Sequence, residues 1–258
     1  MEIYQGIILG AVQGLSEFLP ISSSGHLTLL ARLFGIYENT LFYSVMLHLG
    51  TLIPVIIILK KKILGLFNSP NLFFNLVIAT IPAGIVGIIF SKVLLVDKVF
   101  ESVPILLSLT FLITAVEMFL CQKISNEKRL INTINKKTAF IMGCGQAVGV
   151  LTGISRSGST ILFGNIAGVN RKDNADFTFL MSIPIILSAV ILESVDLLQT
   201  GTPVSIDFLP LVFGVLSASV CGYISISFML SVIKKANYFW FGFYMIVISL
   251  VNILTCLI

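Results

Sequence analysis

Charged side chains are scarce in this 258-residue sequence, and their scarcity excludes a water-soluble domain. Asp, Glu, Lys and Arg make up 11% of the residues, whereas apolar residues make up 57%. A soluble domain carries about 25% charged residues, so this chain lacks the polar surface that would keep a globule of its length in water. The mean hydropathy of +1.04 points the same way. We therefore expect a single membrane domain over residues 1–258.

Cysteine is also sparse, and it shows no pattern. The four cysteines form no CxxC pair, which argues against a disulfide framework and against a metal site built from cysteine.

The net charge is +4, and the basic residues cluster between apolar segments. That clustering is typical of residues that orient a membrane protein, and it predicts no nucleic-acid partner.

Six segments are long and apolar enough to cross a bilayer, which takes about 20 residues. Two further apolar stretches, 3–35 and 139–169, are each interrupted near the middle by small polar residues. The pieces that flank each interruption are too short to span, so we predict two re-entrant helix hairpins. The sequence thus predicts an all-α integral membrane protein with six full transmembrane helices and two re-entrant hairpins. The six predicted spans are 41–59, 71–90, 103–120, 179–198, 209–230 and 240–258.

Lysine and arginine are concentrated in alternate loops. Residues 60–62 and 234–235 are all lysine, and loop 121–138 holds five basic residues, whereas loop 199–208 holds none. Because cytoplasmic loops are enriched in Lys and Arg, the first hairpin is predicted to enter from outside and the second from inside. The expected location is the cell membrane, with several passes.

The two interrupted stretches resemble each other at a constant offset of 133 residues. Together with the opposite entry of the hairpins, this similarity predicts an inverted-topology repeat, with one unit at about 1–133 and the other at about 134–258. In such an architecture the binding site lies where the two breaks meet. The identical pairs are Gly10 and Gly143, Gln13 and Gln146, Ile21 and Ile154, Ser22 and Ser155, Ser24 and Ser157, and Gly25 and Gly158.

The breaks carry ionisable groups. Because such groups are costly inside a membrane, their presence there indicates a structural or functional role. Glu17 and His26 lie in the first stretch, and Arg156 lies in the second, among many hydroxyl side chains. Arginine offers a fork of donors that matches phosphate oxygens, and a serine beside a base can attack phosphorus. His26 could be that base, the nucleophile or the acid for the leaving group. Glu17 could orient His26 or bind a divalent ion.

Structural explanations compete with these functional ones. The serines could simply satisfy backbone groups freed at the breaks, and Arg156 could form a structural ion pair with Glu17. His48, within the first span, could be a core residue or a site residue, and both interpretations stay open. Glu117, near the end of its span, is interpreted as an anchor at the membrane interface.

Each interrupted stretch contains a long motif. The first is Gln13-Gly-Leu-Ser-Glu-Phe-Leu-Pro-Ile-Ser-Ser-Ser-Gly-His26, and the second is Gly153-Ile-Ser-Arg-Ser-Gly-Ser-Thr-Ile161. The two motifs closely resemble the signatures of the undecaprenyl-diphosphate phosphatases, also called bacitracin-resistance proteins. Weaker similarities are Leu47-His-Leu-Gly-Thr-Leu52 and Ala175-Asp-Phe-Thr-Phe-Leu180. The resemblance implies hydrolysis of undecaprenyl diphosphate to the monophosphate and inorganic phosphate, which recycles the carrier lipid for cell-wall glycans and confers bacitracin resistance. It also implies a pair of inverted repeats and an active site that faces the outer side.

The resemblance further implies roles for individual residues. Glu17, Ser23, His26 and Arg156 are expected to be catalytic, with Ser23 favoured over His26 as the nucleophile. Glu17 is also expected to contact a divalent cation, Mg²⁺ or Ca²⁺, that is not permanently bound. Some relatives carry a second glutamate where this chain has Gln13, so a site with two carboxylates is not expected. A homodimer is left open. The expected substrate contacts are Gln13, Ser22, Ser24, Gly25, Gln146, Ser155, Ser157, Gly158 and Thr160.

Two other functions share features with this sequence. Lipid phosphatases of the phosphatidic-acid type share a Ser-Gly-His element, which occurs here as Ser24-Gly-His26. They also need an Arg-Pro pair and a late histidine, and this chain has neither, since no histidine follows His48. A transporter is the second rival, because inverted repeats with broken helices suit alternating access.

Overall fold

The computed structural model describes residues 1–36, 40–90, 99–100, 102–125, 133–200 and 207–257. Helices dominate this part of the chain. The predicted loop residues Lys128 and Arg129, and residues 201–206 of the loop without basic residues, lie outside the described residues. The helices are α1 Ile3–Phe18, α2 Ser23–Leu33, α3 Thr40–Asn68, α4 Pro70–Ile88, α5 Leu106–Ile124, α6 Lys136–Val148, α7 Arg156–Ile166, α8 Arg171–Thr200, α9 Phe208–Lys235 and α10 Phe239–Leu257.

Six of these helices, α3, α4, α5, α8, α9 and α10, are long and apolar enough to cross a membrane. They confirm the six predicted spans, with different ends. Helix α8 begins at Arg171, eight residues before the predicted span, because Asn170 starts the helix: its side-chain oxygen accepts from the backbone N–H of Asp173 at 2.9 Å. The charged residues 171–173 are therefore the first turn of this helix.

The other four helices flank the two predicted breaks. Helices α1 and α2 are 16 and 11 residues long and are separated by residues 19–22, and α6 and α7 are 13 and 11 residues long and are separated by residues 149–155. At 1.5 Å per residue, α1 extends about 24 Å and is the longest of the four, which is less than the hydrocarbon core of about 30 Å. The backbone at each break takes a conformation that helices exclude, with φ of 64° at Ser22 and 90° at Gly153.

Helix α1 packs along α9 through a face of small residues. Gly6 lies against Pro210, Gly10 against Gly214 and Gly14 against Ala218. The contacts advance by four residues on both helices, so the two run parallel and their backbones touch. This spacing of small residues is a common way for membrane helices to approach closely. It fixes the position of α1 and hence of the first break.

Replacing Gly10 by valine is expected to prevent folding or to lower stability by about 3 kcal/mol or more. A Cβ atom at Gly10 would overlap the carbonyl oxygen of Gly214, which is backbone and cannot move aside. The matched control is Gly84→Ala in α4, where a Cβ atom would meet nothing within 4 Å. Size-exclusion chromatography and thermal unfolding in detergent provide the measurement. A Gly10→Val protein as stable as the Gly84→Ala protein would contradict the close α1–α9 contact.

Candidate active site

The two helix breaks touch each other although they lie in opposite halves of the chain. The hydroxyl of Ser157 donates to the carbonyl oxygen of Leu19 at 3.1 Å. A Cβ atom on Gly25 would lie 2.9 Å from the Cα of Gly153, and one on Gly158 would lie 3.2 Å from the Cβ of Pro20. Gly25 and Gly158, predicted as substrate contacts, are therefore needed for the close approach of the two breaks.

Each break ends in the same hydrogen-bonded cap. Ser22 Oγ accepts from the N–H of Gly25 at 3.3 Å, and Ser155 Oγ accepts from the N–H of Gly158 at 3.1 Å. The Ser24 hydroxyl lies 3.4 Å from the Ser22 hydroxyl in the first cap, and the Ser157 hydroxyl lies 3.3 Å from the Ser155 hydroxyl in the second. Serine is a preferred N-cap because its oxygen satisfies a free backbone N–H. Ser22 and Ser155, both predicted substrate contacts, thus begin helices α2 and α7.

Glu17 is the centre of the polar cluster between the breaks. Its carboxylate forms an ion pair with Arg156 and accepts a hydrogen bond from Ser23 Oγ at 2.6 Å. The side-chain amide of Gln13 donates to the same carboxylate at 3.1 Å, and Nε2 of His48 lies 3.3 Å from it. Glu17 is only 6% exposed, so these partners are what makes a buried carboxylate tolerable. Four helices, α1, α2, α3 and α7, meet at this one side chain.

A small cavity opens beside the Glu17–Arg156 pair. Three of the predicted substrate contacts, Gln146, Ser157 and Thr160, line it together with both charged residues. The side-chain nitrogen of Gln146 is buried without a hydrogen-bond partner among the described residues, so a donor there is available to a ligand. The remaining lining residues are Phe18, Thr178, Phe179 and Ser182.

His26 lies apart from the Glu17 cluster. Its Nδ1 is 2.7 Å from the carbonyl oxygen of Ser22, and its Nε2 is 2.9 Å from the hydroxyl of Tyr244 on α10. Ser23, the favoured nucleophile, donates to Glu17 and not to His26, for which the roles of base and acid are both open. The structure therefore brings Ser23, Glu17 and Arg156 together and holds His26 at the edge of the same break with a different partner.

Sequence reasoning missed several residues of this site. The sequence leaves the role of His48 open, and the structure brings its Nε2 to 3.3 Å from Glu17. Thr178 and Ser182 of α8 line the cavity. His48 and Thr178 lie in the two weaker family motifs, and those motifs were the available signal. Ser182 carried no signal of its own.

The position of Glu117 differs from the prediction. Glu117 is 7% exposed, and the Ser159 hydroxyl lies 2.9 Å from both of its carboxylate oxygens. The prediction that Glu117 anchors the membrane interface is wrong, because α7 covers this side of α5.

These features define a helical membrane protein of several spans with a buried carboxylate, a guanidinium and a set of hydroxyls at touching helix breaks. The model of the family described as bacitracin resistance protein BacA matches residues 6–251. The chain belongs to this family.

Individual relatives are similar in sequence to this chain over nearly its full length and nearly their own. The undecaprenyl-diphosphatase of Carboxydothermus hydrogenoformans is 36% identical over 247 residues, covering 95% of this chain and 94% of that protein. The undecaprenyl-diphosphatase of Treponema denticola is 39% identical over 270 residues, covering 97% of this chain and 96% of that protein. Undecaprenyl-diphosphatase 3 of Bacillus cereus is 39% identical over 249 residues, with coverage of 95% and 93%.

Proposed function

We propose that this protein hydrolyses undecaprenyl diphosphate to undecaprenyl phosphate and inorganic phosphate, and so recycles the carrier lipid for cell-wall glycans and confers bacitracin resistance. The contact of Ser23, Glu17 and Arg156 at the junction of the two breaks is the observation that carries this proposal. A hydroxyl beside a carboxylate and a guanidinium is the set of groups that phosphate transfer needs. Membership of the family and the names of the relatives support the same substrate.

The proposed reaction starts with the terminal phosphate against Arg156. The guanidinium binds two phosphate oxygens and neutralises charge that builds up as the phosphoryl group moves. Ser23 Oγ attacks the terminal phosphorus and gives its proton to Glu17, to which it is already hydrogen-bonded at 2.6 Å. The bond from that phosphorus to the bridging oxygen breaks, and undecaprenyl phosphate leaves.

Water then attacks the phosphoserine and releases inorganic phosphate. As the bond from phosphorus to Ser23 Oγ breaks, the proton held by Glu17 returns to that oxygen, and His26 is the proposed base that takes the proton of the attacking water, since an imidazole exchanges protons near neutral pH. The first turns of α2 and α7 add the positive ends of two helix dipoles next to the phosphates. The other hydroxyls of the breaks, including Ser24, Ser157 and Thr160, are proposed phosphate contacts.

A divalent cation, Mg²⁺ or Ca²⁺, fits the residues present. Glu17 supplies carboxylate oxygen, and Oε1 of Gln13 is buried without a hydrogen-bond partner among the described residues. Both ions prefer oxygen ligands. No group of three or more His, Cys, Asp or Glu side chains occurs in the described part of the chain, so phosphate oxygens are proposed to complete the coordination. When bound, such an ion would neutralise charge on the diphosphate.

Contacts at one end of the molecule support the proposal that the first hairpin is re-entrant. The amino group of Met1, before α1, lies 2.6 Å from Asp207, before α9. Arg32, near the end of α2, donates to Asn252 at 2.8 Å and to Thr255 at 2.6 Å, near the end of α10. Helix α1 therefore starts, and α2 finishes, at the same end of the bundle.

Contacts at the opposite end support a second re-entrant hairpin of inverted orientation. Asn75 of α4 donates to Ile134, just before α6, at 3.4 Å, and Asn165 of α7 donates to Ser125, just after α5, at 3.0 Å. Lysines 60–62 and 136–137 are at this end. If that end lies in the cytoplasm, the start of α1 and the end of α2 lie on the outer side, where we propose that the active site opens. A homodimer stays a prediction that light scattering in detergent can check.

The direct test is phosphate release from synthetic undecaprenyl diphosphate by the purified protein in detergent, with and without a chelator. We expect release that the chelator reduces. Movement of intact lipid between leaflets of a reconstituted vesicle without any phosphate release would contradict hydrolysis and favour the transporter.

Replacing His48 by alanine is expected to lower kcat by about 10- to 100-fold, since a hydrogen bond to a charged group contributes about 1.5–3 kcal/mol. His48 Nδ1 lies 2.7 Å from the Ser44 carbonyl oxygen and so carries a hydrogen, and the imidazolium form lets Nε2, at 3.3 Å, donate to the carboxylate that accepts the Ser23 proton. Glutamine, which retains a donor, is expected to keep most of the activity. Ser44→Ala is the matched control, because it leaves the backbone oxygen that His48 contacts. Full activity of His48→Ala in phosphate release would contradict a role beside Glu17.

A further inference from the structure

Tyr244 joins the last helix to the first break through one hydrogen bond. Its hydroxyl lies 2.9 Å from Nε2 of His26, which precedes it by 218 residues in the chain. The two rings are nearly parallel, with an angle of 3° between their planes and 5.6 Å between their centroids. The ring of Phe111 lies at the same centroid distance from His26, 5.6 Å, and is tilted by 52°. The imidazole thus has two aromatic neighbours and is 7% exposed.

The partner at Nδ1 decides the direction of this hydrogen bond. Nδ1 lies 2.7 Å from the carbonyl oxygen of Ser22. A carbonyl oxygen only accepts, so Nδ1 carries the hydrogen. In the neutral ring Nε2 is then an acceptor, and the Tyr244 hydroxyl is its donor. The two contacts together select one tautomer and one ring orientation.

The surroundings of Tyr244 show that its hydroxyl is directed inward from a lipid-facing helix. Tyr244 is 38% exposed, and its neighbours Trp240, Phe243 and Val247 are 66%, 53% and 40% exposed. In a bilayer, the hydroxyl of a tyrosine on such a face can form a hydrogen bond either at the polar interface or with a partner inside the protein. Tyr244 reaches inward to a residue of the break and not to a backbone carbonyl.

We propose that Tyr244 is a positioning residue of the phosphatase reaction: its hydroxyl selects the neutral tautomer of His26 in which Nε2 is the acceptor and fixes the ring, until the attacking water replaces the hydroxyl at Nε2 and gives up its proton there. This inference rests on the proposed function and adds a residue that lies outside both motifs. Tyr244 acts through His26 and does not contact the phosphates. Its loss is therefore expected to affect the chemical step and not substrate binding.

The test is the substitution Tyr244→Phe, which keeps both ring contacts and removes only the hydroxyl. In phosphate release from undecaprenyl diphosphate we expect kcat to fall about 10-fold, as for a buried acceptor that loses its donor, with KM within twofold of the wild type. The matched control is Tyr223→Phe, on the exposed face of α9, with unchanged kcat. In a His26→Gln background the Tyr244→Phe substitution is expected to cause no further loss.

A spectroscopic measurement distinguishes positioning from a general effect on stability. The chain has two histidines, so the imidazole ¹⁵N spectrum of labelled protein contains two rings, and His48→Gln identifies the His26 signals. We expect a protonated Nδ1 in the wild type and a shift of the Nε2 signal in Tyr244→Phe. Unchanged kcat and an unchanged Nε2 signal in Tyr244→Phe would overturn this inference alone. A wild type that releases no phosphate would overturn the proposed function and this inference together.

Discussion

Replacing Arg156 by alanine is expected to lower phosphate release from undecaprenyl diphosphate by about 1,000-fold or more. An arginine that stabilises a moving phosphoryl group contributes about 10³- to 10⁵-fold to the rate. Arg156 is the cation that pairs with Glu17 and lines the cavity. Its fork of donors matters as well as its charge, so Arg156→Lys, which keeps the charge, is expected to lose about 100-fold. The measurement is kcat/KM in detergent.

Arg156→Ala also leaves Glu17 buried without its cation, and breaking such a pair costs about 3–5 kcal/mol of stability. Arg156→Lys and a thermal unfolding measurement on each variant separate this cost from the catalytic loss. The control is Arg32→Lys, at the far end of α2, where the side chain contacts Asn252 and Thr255. A folded Arg156→Ala protein with activity within a few-fold of the Arg32→Lys protein would rule out phosphate binding by Arg156.

Replacing Glu17 by glutamine is expected to lower kcat by about 10²- to 10⁴-fold, the range that a general base contributes. Glutamine has nearly the same shape, but it cannot take the proton of Ser23 or neutralise Arg156. The effect is therefore expected in kcat more than in KM, because the phosphate contacts of Arg156 survive. Steady-state phosphate release and the burst of the first turnover measure the two steps.

The chain provides a matched control for this substitution in Glu117. Glu117 is also a buried carboxylate with a serine partner, Ser159, but it lies on α5 away from the cavity lining. Glu117→Gln is expected to keep activity within about threefold, as for a polar substitution outside the site. Equal losses in Glu17→Gln and Glu117→Gln would mean that any buried carboxylate is needed for the fold, and the proposed role of Glu17 as base would be abandoned.

The spans and the breaks could be predicted from the sequence because both depend on local composition. A run of apolar residues has few alternatives to a membrane helix, and the repeated Ser-x-Ser-Gly segments mark where the helices stop. Helix ends were less predictable. Residues 171–173 are charged and could be loop or helix, and the side chain of Asn170 decides for helix.

The Glu17–Arg156 pair could be predicted because each residue sits in a motif that is anomalous inside a membrane. Tyr244 could not be predicted in the same way. It is one of six tyrosines, and an aromatic residue on a spanning helix is typical of the lipid-facing surface. Its partner His26 lies at the other end of the chain, so the contact becomes visible only when α2 and α10 are placed in space. The partner of Ser23 depends on the course of residues 19–22 between α1 and α2, so the sequence left open whether its hydroxyl meets His26 or Glu17.

The most direct test of one shared site is a double-mutant cycle with Glu17→Gln, Arg156→Lys and the combined variant, measured as phosphate release from undecaprenyl diphosphate. Residues that act as one catalytic unit give losses that do not add. We predict that the combined variant is about as active as the weaker single variant, with all three proteins folded. Losses that multiply in the combined variant would show that the two breaks act independently, and would contradict a single diphosphate site between them.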